Sequence, residues 1–73
     1  MSHIDQKLAA RLLRAEMVRR DLSYADLAER LAAQGHATTE ASLRNKVSRG
    51  TFSADFLIHC MTAMNVPVLR LTE

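Results

Sequence analysis

Thr39-Glu-Ala-Ser-Leu-Arg-Asn-Lys-Val-Ser-Arg-Gly50 is the stretch whose reading decides the fold. Thr39 carries a hydroxyl that can accept from the first-turn amides of a helix. Leu43 and Val47 are four residues apart, so they share one face and turn inward together. Gly50 stands where a helix ends in the left-handed conformation that glycine adopts without steric cost. The spacing therefore predicts a helix over 40–49. Ser42, Asn45, Ser48 and Arg49 fall on the face away from the anchors, with Arg44 and Lys46 on its flanks. So narrow an apolar seam leaves most of this helix facing outward.

Working outward, the same signals recur. A first helix is expected over 5–20, with Ile4, Leu8, Leu12, Ala15 and Val18 on one stripe at helical spacing. A thinner stripe of Ala9, Leu13 and Met17 lies almost opposite. A helix apolar on two sides is either wrapped by its own domain or shared with a second subunit. Asp21 breaks the pattern. Ser23 opens the next helix, over 24–34, and Asp26 three residues on forms a near capping box. Tyr24, Leu27, Ala28 and Leu31 are its buried stripe, and Gly35 suits the position after its end.

Ser53 starts a fourth helix over 54–64, with Asp55 favourably placed for the helix dipole. Phe56, Cys60, Ala63 and Met64 form its main stripe, widened by Leu57 and Met61. Asn65 ends it and Pro67 forbids a continuation. The tail over 66–73 reads as extended, with Leu69 and Leu71 on one side, and is a candidate strand. A lone strand must pair or dock on the helices.

Seventy-three residues make one small domain with a thin stability margin, for which oligomerisation is a natural aid. A 48% apolar fraction marks a globular chain rather than a disordered one. Net charge is +2 and the isoelectric point is near 9.2, which alone is weak evidence for a nucleic-acid partner. The distribution is more informative, with Arg11, Arg14, Arg19 and Arg20 on the first helix and Arg44, Lys46 and Arg49 on the third. The single Cys60 excludes an intramolecular disulfide and fits a reducing compartment. No apolar run reaches membrane-spanning length and no signal peptide is visible, so a cytoplasmic protein is expected, nucleoid-associated when on DNA. Met1 to Ile4 reads as a loose start.

The order of elements carries a resemblance. A helix precedes Ser23-Tyr-Ala-Asp-Leu-Ala-Glu-Arg-Leu31; Ser42-Leu-Arg-Asn-Lys-Val-Ser-Arg-Gly50 follows, then Phe52-Ser-Ala-Asp-Phe56 and another apolar helix. Over roughly 8–66 this resembles the phage-repressor (Cro/C1-type, XRE-like) helix-turn-helix family. It is more similar still to a group of short bacterial domains of unknown function with a Leu-Arg-Asn-Lys-Val/Ile-Ser-Arg-Gly run followed by Phe-Ser. The stretch between Leu31 and Thr39 is several residues longer than the usual repressor turn, so the repressors' docking geometry does not transfer directly.

The resemblance implies an all-α, four- to five-helix, repressor-like domain that binds double-stranded DNA as a homodimer. Thr39, Ser42, Arg44, Asn45 and Lys46 would point into the major groove. Arg19, Arg20, Ser23, Tyr24, Ser48 and Arg49 would meet phosphate. The side-chain chemistry agrees independently: Arg suits two acceptors on guanine, Asn an acceptor and a donor on adenine, and small hydroxyls suit phosphate oxygens. The dimer seam is sought on the first helix (Leu13, Met17) or, with preference, on the tail (Val66, Val68, Leu69, Leu71). The rival is a protein-interaction module, such as an antitoxin or accessory subunit, using the same fold.

Other constellations read more plainly. His3, His36 and His59 do not pair with Cys60 at a zinc-like spacing, so no metal is expected. Cys60 reads as a core thiol and Met17, Met61 and Met64 as core filler. His36, in the connection, is within reach of a phosphate but reads first as an exposed histidine. No nucleophile–base pair points to an enzyme, and no cofactor motif is present.

Overall fold

The computed structural model describes residues 7–69 and 71, and within them the chain is all-α. Four helices follow one another: α1 (Leu8–Arg19), α2 (Tyr24–Ala33), α3 (Glu40–Arg49) and α4 (Ala54–Ala63). Helix α2 packs against both α3 and α4, and α1 against α4.

The helix ends follow from local chemistry. Ser23, Thr39 and Ser53 each take an extended backbone, and their hydroxyl oxygens accept from the amides of Asp26, Ser42 and Phe56 at 3.0 Å. The carboxylate of Asp26 in turn accepts from the Ser23 amide at 3.0 Å, completing the capping box. Those contacts hold the Asp26 carboxyl below its usual range, the backbone hydrogen bond contributing most. Asp21, Gly35, Gly50 and Asn65 all take positive φ after their helices. After α1, α2 and α4 the next amide folds back five residues, from Leu22 to Met17, His36 to Leu31 and Val66 to Met61. These are Schellman closures, which satisfy carbonyls that would otherwise lack partners.

The core is formed by Leu13, Leu27, Leu31, Leu43, Val47, Cys60 and Met64, all essentially inaccessible. This corrects the reading of α1. Its inward side carries Ala10, Leu13 and Met17, together with Leu12, whereas Val18 is 79% exposed. The thinner stripe is the one the domain covers, so Leu13 and Met17 have no surface to offer a second subunit. The expected start of α1 at Asp5 and its anchor Ile4 lie outside the described residues. Of the two outcomes open to the tail, docking is the one seen: no strand occurs among the described residues. Val66 is drawn in by the Schellman bond and packs on the core, and the chain bends at 67–68.

Cys60 is buried between α4 and the core, and burial pushes its thiol up from 9.0 to about 11, opposed by the nearby Lys46 charge. The unfolded chain ionises this thiol first as pH rises. The stability resting on the neutral thiol is thus full below pH 9.0 and is lost as pH climbs through about 11. At pH 8 the folded domain should react with iodoacetamide about 100-fold more slowly than the urea-unfolded chain from thiolate fraction alone, and more slowly still from burial. Equal rates by mass spectrometry would place Cys60 at the surface.

Candidate nucleic-acid interface

Helix α3 is anchored by two side chains only, Leu43 and Val47, which are 1% and 0% exposed. The other eight residues of Glu40–Arg49 are exposed or, for Lys46, half-buried. At 100° per residue, Ser42, Asn45, Ser48 and Arg49 point away from the anchors. Thr39 is exposed, but its oxygen already caps the helix, leaving its hydroxyl proton to donate outward.

The two flanks of α3 differ. On one, the Arg44 guanidinium lies 5.3 Å from the Tyr24 ring centroid and pairs with Glu40 at 2.7 Å. Arg44, Tyr24, Ser23 and Arg14 line one cleft floored by Met17 and Leu22. The structure thus brings the expected phosphate residues at the start of α2 beside α3. It adds Arg14 to them, which the sequence placed only in a general basic cluster. The Arg44–Glu40 pair is exposed, so its net stabilisation is small and Glu40 is readily exchanged for another acceptor. On the other flank, the Lys46 ammonium sits 4.7 Å from the Phe56 ring centroid, turned along the α4 side rather than straight outward. There the His36 and His59 rings stack at 3.8 Å with 19° between planes.

Arg19 and Arg20 do not join this face. Glu16 is buried, at 5% exposure, and its carboxylate pairs with both arginines. Arg20 also donates from Nε to the Met64 carbonyl at 3.1 Å, and Arg30 reaches the Ala63 carbonyl at 3.4 Å. Helix α4 has no basic residue in its last turn, so arginines from α1 and α2 serve its terminal carbonyls. Arg20, expected on phosphate, is therefore a tie between α1 and α4. Arg19 lies beside it, bonded to Glu16 at 2.8 Å. No composition or spacing signal singled out Glu16; it became visible only when α4 was set against α1. The expected result for Arg20→Ala is a loss of about 1–2 kcal/mol in urea denaturation, the partial solvation of the guanidinium reducing the full value. A variant as stable as the parent would free Arg20 for a role at the surface.

Among the described residues no group of three or more His, Cys, Asp or Glu side chains is placed to hold a metal. None of the described helices is long and apolar enough to cross a membrane.

No curated protein and no solved structure matches the chain. A family defined by sequence does match, over residues 6–69, nearly the whole length. The chain belongs to that family, described as a domain of unknown function (DUF6471).

Proposed function

We propose that this domain is a sequence-specific DNA-binding transcriptional regulator, a repressor acting as a homodimer on a two-fold operator. The observation that carries the reading is α3 itself. Its packing uses Leu43 and Val47, and a continuous polar face of Ser42, Asn45, Ser48 and Arg49 is left outward. A ten-residue helix is about 15 Å long and fits a major groove about 12 Å wide. Asn45 and Arg44 supply the donor and acceptor patterns that would read base edges, and Ser23, Tyr24, Arg14, Ser48 and Arg49 would meet the phosphates beside them. The similarity of the helix order to phage repressors supports the same use.

Two-fold binding requires a second copy, with the α3 helices entering successive grooves about one helical turn apart. Val68, Leu69 and Leu71 are 68%, 37% and 68% exposed, an apolar cluster on the tail that fits the seam. Val66 is only half exposed and anchors that tail to the core. Occupancy would act sterically, in the cytoplasm, by excluding polymerase. The same exposed tail is what favours the second reading, a module that docks on another protein.

The test is a titration of the folded protein against random duplex DNA at two salt concentrations, then against its own upstream region. Binding that weakens steeply with salt, with tighter binding to one sequence selected from a random pool, is the expected outcome. A folded helical protein that binds neither duplex overturns the regulator reading.

A further inference from the structure

The flank of α3 that faces α4 holds a groove of about 410 Å³. The connection contributes His36, Ala37 and Thr38, α3 contributes Ser42 and Lys46, and α4 contributes Phe56 and His59. Its chemistry is one-sided. The titratable groups lining it are two imidazoles and one ammonium, and no carboxylate lines it among the described residues. Asp55, one turn before His59, lies at the exposed start of α4 outside the lining, and Glu40 is paired with Arg44 on the opposite flank. Helix α2 reaches the groove only through Leu31, and Cys60 behind it is a neutral thiol. Ser42 adds a hydroxyl that can donate, whereas the Thr38 hydroxyl already donates to the Thr39 carbonyl at 3.5 Å.

We propose that this groove is a phosphate site that takes a backbone phosphodiester of the duplex lying against α3, and that its stacked histidines gain a proton as it fills. The inference rests on the DNA-binding reading above. Two neutral imidazoles, or one neutral and one charged, stack comfortably at 3.8 Å, whereas two cations at that separation repel. A phosphate oxygen in the groove offsets that repulsion and accepts from imidazolium N–H groups and the Lys46 ammonium together. Lys46 is already held at the mouth by the Phe56 ring, and Ser42 belongs to both the groove and the outward face of α3. A phosphate bound here is therefore beside the helix that would enter the major groove, opposite the Tyr24–Arg44 cleft. A proton taken up as phosphate binds makes DNA affinity depend on pH.

The sign is set by linkage: binding that takes up a proton tightens as pH falls, about tenfold per pH unit for each proton taken up. The experiment is fluorescence anisotropy of a labelled duplex from pH 7.5 to 5.5 at fixed ionic strength, with the parent, H36Q and H59Q. In parallel, inorganic phosphate is titrated while the histidine ring protons are followed by NMR. The expected result is a parent affinity that rises by up to about 100-fold across these two pH units for one proton taken up, a rise lost in either variant, and histidine resonances that move with phosphate. A rise kept in both variants, or absent from the parent, overturns the site and leaves the DNA reading standing. No duplex binding at any pH, with phosphate still shifting His36 and His59, overturns the DNA reading and keeps the groove as a site for phosphate from another source. Neither duplex binding nor a shift removes both.

Discussion

Leu13→Ala is expected to remove about 3–5 kcal/mol, a large share of the domain's stability, and to do so equally at every protein concentration. Leu13 is completely inaccessible, on the side of α1 that faces the core. Truncating a leucine in such a site costs about 3–5 kcal/mol through lost transfer energy and the cavity left behind. A domain of this length has roughly 4–11 kcal/mol in total, so a single deletion removes a large share. The melting temperature should fall by about 15–30 °C in circular dichroism. The concentration axis is what makes the result informative. A residue in a dimer seam produces a melting point that climbs with protein concentration, because association stabilises the folded state by mass action. A core residue does not. If the Leu13→Ala domain recovers its stability on concentration, Leu13 belongs to an interface after all. Leu71→Asp should behave in the opposite way, leaving the monomer's core intact while weakening self-association.

Leu13 also shows where the sequence stopped being legible. Both stripes of α1 have the right period, and hydrophobic periodicity ranks them by residue count, which favours the one ending at Val18. The choice is made by what α1 packs against. Helix α4 meets the Leu13–Met17 side, Leu12 is covered as well, and Glu16 is sealed beneath Arg19 and Arg20. None of that can be computed from one helix, since it depends on a partner more than forty residues away, as in the Arg20–Met64 bond.

What was legible was local. Hydroxyl caps at Ser23, Thr39 and Ser53, left-handed closures at Gly35 and Gly50 and stops at Asp21 and Asn65 depend only on neighbours in sequence, and they set the helix ends; that Asp21 and Asn65 also turn left-handed was seen only in the structure. The anchors Leu43 and Val47 follow from spacing in the same way. The candidate site divides along the same line. The outward face of α3 was readable, whereas the His36–His59 stack and the placing of Arg14 beside Tyr24 required the helices to be assembled. The tail's alternation left pairing and docking both open; among the described residues it forms no strand, and Val66 closes α4 and docks on the core.

The double variant Arg44→Ala/Asn45→Ala should lose about 100- to 10,000-fold in affinity for the preferred duplex, since each side chain reading a base contributes about 1–3 kcal/mol. It should do so without unfolding. Asn45 is exposed, and Arg44 forms a solvent-exposed pair with Glu40 and rests over Tyr24, so their removal should cost less than about 1 kcal/mol in urea denaturation. That separation between folding and binding is what Leu13→Ala cannot offer. Lys46→Ala supplies the contrast within the same helix. Its ammonium lies over the Phe56 ring, in the groove proposed to take a phosphate, so its loss should weaken all duplexes alike and reduce the salt slope by about one unit. A protein-interaction module predicts something else: both α3 variants keep their activity, and changes at Val68, Leu69 and Leu71 abolish it. A double variant that binds the selected duplex within twofold of the parent, with an unchanged salt slope, removes α3 from the interface. The outward polar face would then be a solvated surface, and the tail would become the working part of the molecule.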